Sequence, residues 1–526
     1  MKRSKFSLSH YKLATMDMGR LYPIACLDVL PGDSIQQATT ALVRMQPMLA
    51  PVMHPIEVKI HHWFVPYRLL WSEFEDFITG GSRGTSVPTF PTITSNFRKG
   101  ELGDYLGLIG EQEVSALPFR AYNMIWNDFY RDQDLQTEID INTDGGNDTD
   151  TYEIKRVSWA KDYFTTARPW TQKGTEINVP VEQGGNFDIT GLKLQAHKAR
   201  YNSTTGQWEY PAQNITAMLN NLGNETDIWF KNGFDTGSIG TIPSAHRDNV
   251  LGFGVANTGT EYPNGPDSGY LNINASNGIT LTPRGGSSNR GISIQDLRLS
   301  LALQRYEEAR AKYGSRYIEY LRYLGIRSSD ARLQLPEYLG GGKQLIQISE
   351  VLNTSGQGTL GAMGGHGLGA MRSNRYRRFF EEHGVILSLM YIMPKAMYVE
   401  GTHRMWLKRT KEDFFQKELQ HIGMQEVYTR ELKGTAENGK IFGYQDRYDE
   451  YRRQPSQVCG DFRDLLDFWH LGRTFESDPV LNESFITNEP TKRIFAEQNH
   501  NEFLLMINHS IQARRMLRKV AKTATF

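Results

Sequence analysis

The segment His54-Pro55-Ile56-Glu57-Val58-Lys59-Ile60-His61-His62-Trp63-Phe64-Val65-Pro66 decides the fold class because its side chains alternate in character. Even-numbered positions from Ile56 to Phe64 are mostly apolar, and the odd-numbered positions between them are mostly polar. Successive side chains of an extended chain point to opposite faces, so this period of two residues predicts a half-buried β-strand. The fold is therefore expected to be built on sheets.

Further strand candidates are spread along the whole chain. Leu21 to Val29 comes before the alternating segment, and Phe503 to Ile507 comes near the end. Val385 to Met393 is an unbroken apolar run, which predicts a strand buried on both faces. Strands at both ends of a chain, with helices between them, predict one sandwich that its terminal segments close.

Three helices are predicted between these strands. A short one opens at Ser72, which we assign as its N-cap because acidic residues follow in the first turn. A second runs from Pro118 to Tyr130, with its apolar side chains at helical spacing. A third begins near Ser293 and runs towards Tyr313.

Composition limits the classes of protein that fit. The chain has 526 residues, 39% of them hydrophobic, so a large core is possible. The length allows two or three domains, or one sandwich with large insertions. Two cysteines, Cys26 and Cys459, are too few for a disulfide framework or a four-cysteine metal site, which suits synthesis in a reducing cytoplasm. No signal peptide is expected.

Positive charge is concentrated at the two ends, although Lys+Arg and Asp+Glu both number 59. Residues 1–16 form an acid-free basic arm with Lys2, Arg3, Lys5 and Lys12. Residues 508–526 form an acid-free basic tail with Arg514, Arg515, Arg518, Lys519 and Lys522. With zero net charge any contact with nucleic acid must be local, so these nine residues are the candidate DNA contacts. The alternative is a solvated terminus or a strap between proteins.

Two segments favour loops. Residues 180–290 are rich in Gly, Asn, Thr and Pro, which predicts a surface insertion with a few strands of its own. Gly356 to Gly369 is glycine-rich and is expected to be a flexible loop. Its stretch from Gly365 to Ala370 formally fits a dinucleotide fingerprint, but the segment that follows is too polar for the required helix.

The segment from Asp140 to Gly145 resembles the start of a calcium-binding loop. Oxygen ligands at alternate positions and a glycine at the bend are typical of such loops. The closing glutamate is missing, since position 151 is Thr151. An exposed acidic turn is therefore the preferred interpretation, with calcium binding as the alternative.

Several blocks of sequence, taken together, resemble a known family. They are Leu21-Tyr22-Pro23-Ile24, Asp28-Val29-Leu30-Pro31-Gly32-Asp33, Phe64-Val65-Pro66-Tyr67-Arg68-Leu69-Leu70-Trp71, Leu117-Pro118-Phe119-Arg120-Ala121-Tyr122-Asn123, Asp162-Tyr163-Phe164-Thr165 with Pro169-Trp170, Asp330-Ala331-Arg332-Leu333-Gln334-Leu335-Pro336-Glu337-Tyr338, Phe442-Gly443-Tyr444-Gln445-Asp446-Arg447, Tyr451-Arg452, Pro455-Ser456-Gln457 and Asp467-Phe468-Trp469-His470-Leu471. Their order is similar to that in the major capsid proteins of microviruses, specifically the gokushovirus branch. Residues 180–290 and the tail after Phe503 do not match.

The resemblance implies a mainly β fold: an eight-stranded viral jelly-roll β-sandwich with large helical and loop insertions, as a single domain over residues 1–526. It implies sixty copies in a T=1 shell around circular single-stranded DNA, assembled in the cytoplasm of a bacterial host. The implied partners are a DNA pilot protein, an internal scaffolding protein, a small basic DNA-binding protein and the host surface through the insertion.

No enzyme is expected, so no catalytic, cofactor-binding or metal-binding residue is assigned. Insertion into a membrane is not expected either. Two rival functions remain open from the residues alone. One is a jelly-roll carbohydrate-binding module, and the other is a glycoside hydrolase with a catalytic carboxylate. The module predicts a soluble monomer or small oligomer, and the hydrolase predicts turnover that depends on one Glu or Asp. A shell subunit predicts closed particles.

Overall fold

The computed structural model describes residues 3–81, 85–149, 152–174, 297–312, 334–352 and 363–519, and the backbone of the strands and helix within 187–313. The strands are β1 (Ser4–Ser7), β2 (His10–Met16), β3 (Tyr22–Val29), β4 (Ser34–Met45), β5 (Ile56–Pro66), β6 (Thr92–Phe97), β7 (Gly110–Ser115), β8 (Phe187–Lys198), β9 (Arg200–Asn202), β10 (Gln207–Glu209), β11 (Ala212–Gln213), β12 (Ile228–Asn232), β13 (Val250–Val255), β14 (Gly269–Pro283), β15 (Glu337–Leu345), β16 (Gln347–Leu352), β17 (Met363–Arg372), β18 (Tyr376–Phe379), β19 (Gly384–Pro394), β20 (Met424–Tyr428), β21 (Ile441–Asp446) and β22 (Phe503–Arg515). The α-helices are α1 (Tyr67–Leu70), α2 (Phe74–Thr79), α3 (Leu102–Leu106), α4 (Leu117–Phe129), α5 (Ile294–Tyr313) and α6 (Glu483–Ile486).

Two antiparallel sheets form the centre of the fold. The seven-stranded sheet has the order β1-β22-β4-β17-β16, with β2 also pairing to β22 and β18 also pairing to β4. The four-stranded sheet has the order β15-β5-β19-β3. One hydrophobic cluster contains Val43 and Ile507 from the first sheet together with Ile60 and Ile392 from the second. The predicted mainly β sandwich is therefore confirmed.

The two sheets hold eleven strands instead of the expected eight. Part of the difference arises because β1 and β2 pair with successive stretches of β22, while β17 and β18 pair with successive stretches of β4. Strand β22 is also longer than predicted. Its alternation continues past Ile507 because His509, Ile511 and Ala513 are buried on the same face.

Helix α4 covers the outer face of the four-stranded sheet. Its Phe119, Tyr122 and Ile125 belong to a second hydrophobic cluster that also includes Leu387 and Leu389 of β19. Every residue of β19 is buried because the sandwich core lies on one side of the strand and this helical layer lies on the other. The prediction of a strand buried on both faces is thus confirmed for β19, and the prediction of a helix from Pro118 is confirmed by α4.

The predicted N-cap of the short helix at position 72 is wrong. Helix α2 begins at Phe74 with Glu73 as its N-cap residue, which makes no capping hydrogen bond through its side chain. The Ser72 hydroxyl instead donates to the carbonyl of Thr143, 3.3 Å away. The side chain that the local pattern assigned to the helix N-cap therefore makes a tertiary hydrogen bond instead.

The expected glycine-rich loop is also partly wrong, because residues 363–372 form strand β17. Gly365 exchanges two backbone hydrogen bonds of 3.1 Å with Met48. A Cβ atom at Gly365 would lie 2.3 Å from the Ala50 carbonyl oxygen. Glycine is required there because another stretch of backbone comes too close for a side chain. Residues 356–362 of the predicted loop lie outside the described residues.

We expect Gly365→Ala to destabilise the subunit by about 1–3 kcal/mol, because the added methyl group must displace backbone. The neighbouring Gly364 is a matched control, since a Cβ there would lie at an ordinary 3.6 Å from the Met48 oxygen. Urea unfolding of both variants is the measurement. Equal stabilities for Gly364→Ala and Gly365→Ala would contradict the close-approach explanation.

Residues 177–302 form a compact unit of their own. Its five-stranded antiparallel sheet has the order β11-β8-β14-β13-β12, and β9 pairs with β10. The strand β14 runs against β8 with an irregularity in register between Ala275 and Thr280. Throughout the part of the chain that the structure describes, no helix has the length and apolar character needed to cross a membrane.

Candidate nucleic-acid interface

The outer face of the seven-stranded sheet carries a set of exposed basic side chains. We call this set the basic sheet face, and it consists of Lys5, Arg44, Arg372, Arg377 and Arg514. Each of them occupies a strand position whose side chain points away from the sandwich core. Within the described residues none of the five forms an ion pair with a carboxylate. Five cationic groups are therefore available to an external anion.

The strand register sets two of these cations beside each other. Lys5 of β1 lies directly opposite Arg514 of β22, so two like charges are neighbours across the ladder. Such a pair is unfavourable in the free protein, and an anion between the two side chains would relieve the repulsion. Arg44 of β4 lies between Leu504 on one neighbouring strand and Leu368 on the other.

Apolar side chains fill much of the same face between the charges. Tyr11 is 68% exposed and Leu13 is 80% exposed, and Leu504 and Met506 of β22 lie in the adjacent rows. No Asp or Glu occurs at the outward positions of these strands among the residues that the structure describes. A cationic, acid-free surface with accessible apolar side chains suits a polyanion with exposed bases.

The nine candidate DNA contacts have different structural surroundings. Lys5 and Arg514 are on the basic sheet face. The guanidinium carbon of the exposed Arg3 lies 4.8 Å from the ring centre of Phe379, at the edge of this face. The exposed residues Arg518 and Lys519 follow the end of β22. Lys2 and Lys522 lie outside the described residues.

Two of the candidates are engaged inside the subunit. The Lys12 ammonium donates to the carbonyls of Pro23 and Tyr105, and burial lowers its pKa to about 8. Arg515 lies with its Nε 3.1 Å from an Asp33 carboxylate oxygen and donates from Nη2 to the carbonyl of Asp28 at 2.6 Å. Neither side chain belongs to the basic sheet face.

Sequence reasoning missed three members of this face, Arg44, Arg372 and Arg377. They lie outside the two acid-free ends at residues 1–16 and 508–526. Alternation within residues 34–45 could have placed Arg44 on the polar side of a strand. That it shares this face with Arg372 and Arg514 depends on pairings between segments hundreds of residues apart.

The acidic turn at 140–145 is part of a buried arginine site. Arg120 of α4 donates from Nε and Nη2 to the two carboxylate oxygens of Asp148, at 2.8 and 2.9 Å. Its Nη2 also donates to the carbonyl of Asp144, and its Nη1 to that of Leu70. Both side chains of this salt bridge are fully buried.

The carboxylate of this pair has two further donors, Asn142 and the Tyr152 hydroxyl. Burial opposes ionisation of Asp148, but the hydrogen bonds from Arg120 and Tyr152 outweigh it and hold the pKa of the carboxyl below its usual value. A guanidinium group of the protein therefore supplies the positive charge that this loop binds. The geometry supports the acidic-turn interpretation over the calcium loop.

Two histidines lie inside the sandwich in a network of polar side chains. His62 is within hydrogen-bond distance of the Ser388 hydroxyl at 2.8 Å and of the Ser373 hydroxyl at 3.1 Å. His509 is 2.9 Å from the Thr39 hydroxyl. Burial lowers the pKa of His62 to about 3 and that of His509 to about 4, so both rings are neutral at pH 7.

Two other buried groups titrate away from their usual range. Burial lowers the pKa of His54 to about 4, against the opposing effect of its hydrogen bond to the Lys395 carbonyl. Burial raises the pKa of Glu502 to about 7, although the Met18 amide donates to its carboxylate at 2.7 Å. These groups make the stability of the subunit depend on pH.

The family model described as "Capsid protein (F protein)" matches residues 1–525. The chain belongs to this family of phage capsid proteins. It is 30% identical to capsid protein VP1 of Chlamydia phage 1, an alignment that covers 96% of this chain and 92% of that protein. It is 32% identical to capsid protein VP1 of Bdellovibrio phage phiMH2K, with 93% and 89% covered. For capsid protein VP1 of Spiroplasma virus 4 the identity is 28%, with 93% and 88% covered.

These relatives confirm the resemblance to the gokushovirus capsid proteins. The chain is a structural protein of a phage virion and not an enzyme, so the hydrolase interpretation is excluded. A capsid protein assembles with copies of itself into a shell, and this property excludes a monomeric carbohydrate-binding module as well.

Proposed function

We propose that this capsid protein forms a T=1 shell of sixty copies around a circular single-stranded DNA genome, with the basic sheet face lining the interior. The observation that carries the proposal is this acid-free set of five cations on one sheet, none of which pairs with a carboxylate of the described residues. Cationic side chains bind phosphates without reading bases, which a container for a whole genome requires.

The apolar rows of the same face favour single strands over duplex. Tyr11, Leu13 and Met506 present accessible side chains between the charges. The bases of a single strand are free to pack against such side chains, whereas a duplex stacks its bases inside the helix and offers mainly phosphates. The basic end residues Arg3, Arg518 and Lys519 extend the positive surface beyond the sheet.

We expect the double variant Arg44→Gln/Arg514→Gln to weaken binding of a single-stranded oligonucleotide and to flatten its salt dependence. For single strands the slope of log affinity against log salt is about 0.7 per neutralised phosphate, so two lost contacts lower it by about 1.4. Fluorescence anisotropy of unassembled subunits over a range of salt concentrations measures both quantities.

A matched control removes two exposed lysines from other surfaces, Lys99 and Lys417, in one double variant. This control keeps the same net charge as the test variant, so any difference between them reports position and not total charge. Equal salt slopes for the control, the test variant and the unmodified chain would refute the assignment of the basic sheet face to DNA.

We propose that the insertion at residues 180–290 protrudes on the outer surface and contacts the bacterial host. The separate compact unit formed by residues 177–302 supports this proposal, because a unit with its own sheet can vary without disturbing the sandwich. By family resemblance we also propose assembly in the host cytoplasm with an internal scaffolding protein, a DNA pilot protein and a small basic DNA-binding protein.

Replacing residues 180–290 with a short linker should leave particle formation intact and lower host adsorption. The sandwich strands, the hydrophobic cluster between the two sheets and the cluster under helix α4 all lie outside the replaced range. Adsorption is measured as the fraction of particles that sediment with host cells, with unmodified particles as the control. Unchanged adsorption of intact, shortened particles would exclude the host-contact role.

A further inference from the structure

An exposed group of aromatic side chains lies in residues 403–422 and the adjacent turn at 449–451. We call it the aromatic surface, and its members are Trp406, Phe414, Phe415 and Tyr451. Their side chains are 65%, 56%, 55% and 57% exposed, respectively. Together their side chains present roughly 500 Å² of accessible surface.

Two rings of the aromatic surface, those of Tyr451 and Phe414, lie beside one lysine. The Lys408 ammonium lies 4.0 Å from the ring centre of Tyr451 and 5.5 Å from that of Phe414. It is anchored from below by Glu450, 3.4 Å away, and it donates to the Tyr451 hydroxyl at 2.6 Å. Phe415 packs against the Tyr448 ring with a centroid distance of 5.4 Å.

The segment that carries these rings is held rigidly. The Tyr448 hydroxyl accepts from the amide of Gln416 at 3.1 Å and donates to the carbonyl of Phe414 at 3.0 Å. Asp413 accepts from the amides of Arg409 and Thr410, both at 2.8 Å. Exposed aromatic rings that are fixed before binding lose little conformational entropy when a partner covers them, which favours tight contact.

The charges near the aromatic surface fit a protein partner and not DNA. Exposed carboxylates of Glu412 and Glu418 alternate with Lys411 and Lys417 along the same segment. Carboxylates repel phosphates, so this surface differs from the acid-free basic sheet face. Aromatic side chains surrounded by charges of both signs are typical of a protein–protein interface with an apolar centre and a polar rim.

We propose that the aromatic surface docks onto a second copy of this chain in the assembled shell. The proposal rests on membership of the capsid protein family, because copies of the chain must cover parts of one another in a shell. It does not depend on the assignment of DNA to the basic sheet face. An area of roughly 500 Å² is a large part of the ~800 Å² that each partner contributes to a standard interface.

Photo-crosslinking in intact particles tests the proposal directly. A benzophenone amino acid replaces Trp406, the particles are irradiated, and the crosslinked peptides are identified by mass spectrometry. We expect a covalent dimer of the 60.0 kDa chain, with the crosslink joining position 406 to a peptide of a second copy. Crosslinks to DNA, to a different protein or to nothing would overturn the proposal.

Substitution provides a second test. We expect Phe415→Asp to lower the yield of closed particles at least about tenfold, the effect of losing a well-buried aromatic anchor. Thermal unfolding of the unassembled subunit checks that the variant folds, and its oligonucleotide affinity should equal that of the unmodified chain. Normal particle yield from the folded variant would refute the proposal, and crosslinking decides if the variant does not fold.

Discussion

Replacing Arg120 with leucine should destabilise the subunit by about 3–5 kcal/mol, because the change leaves the Asp148 carboxylate buried without its main partner. The carbonyl oxygens of Leu70 and Asp144 lose their donor in the same variant. Asp148→Ala should have a similar effect, since it leaves the guanidinium group unpaired. Urea unfolding of the soluble subunit measures the free energies, and the insoluble fraction on expression is an independent readout.

Glu489 supplies the matched control for this pair. It forms an ion pair of 2.6 Å with Arg156, but its side chain is exposed to solvent. Glu489→Ala should therefore cost less than about 1 kcal/mol. The loss of unfolding free energy in Arg120→Lys should lie between those of Arg120→Leu and Glu489→Ala. An ammonium group keeps the charge but cannot reach four acceptors that are arranged around a planar guanidinium group. Comparable losses of unfolding free energy for Arg120→Leu and Glu489→Ala would show that burial does not increase the effect of breaking an ion pair.

Acidification from pH 6.5 to pH 4.5 should destabilise the subunit steeply through His54, His62 and His509. Above pH 6.5 these imidazoles are neutral in both the folded and the unfolded states. As the pH falls further, the unfolded chain takes up protons that the folded state does not accept until pH 4 or below. Each such histidine lowers the free energy of unfolding by about 1.4 kcal/mol per pH unit in this window.

Glu502 opposes this trend between pH 7 and pH 4.5. Its folded-state pKa of about 7 means that the folded state binds a proton there before the unfolded chain does. Three histidines against one glutamate leave a net loss of about 2–3 kcal/mol per pH unit from these four groups. Thermal and urea unfolding at several pH values between 4.5 and 7 measures the slope.

Two variants separate the opposing contributions. Glu502→Gln should steepen the loss on acidification by about 1.4 kcal/mol per pH unit, because it removes the compensating proton. His62→Gln should reduce the slope by the same amount, since an amide can hydrogen bond to Ser373 and Ser388 but does not titrate. A slope that neither substitution changes would rule out these groups as its source.

Local patterns in the sequence predicted the elements whose neighbours along the chain share one environment. Strand β5 follows from alternation, and β19 follows from its unbroken apolar run. Helix α4 follows from apolar residues at helical spacing after Pro118. These predictions succeeded because periodicity reports which faces of an element are covered, whatever covers them.

Patterns failed where a distant backbone or side chain set the local structure. Glycines at 364–369 are typical of a loop in isolation, yet they lie in β17 because this segment pairs with β16 and β4. Only at Gly365 does the backbone at 48–50 approach too closely for a side chain. The side chain of Ser72 suits an N-cap, yet it bonds to the Thr143 carbonyl. In both cases a tertiary contact stabilises the observed structure by more than the local preference disfavours it.

The sequence by itself determined the family, the mainly β class and the excess of positive charge at both ends of the chain. Only the tertiary structure decided which cations lie on the same face of a sheet. Arg44, Arg372 and Arg514 share one face because β17, β4 and β22 are neighbours in the sheet, although they come from distant parts of the chain. It also decided that His62 is neutral and buried beside Ser373, 311 residues away. Alternation shows that a strand has two different faces. Only the pairing of distant strands determines which residues lie beside one another on each face.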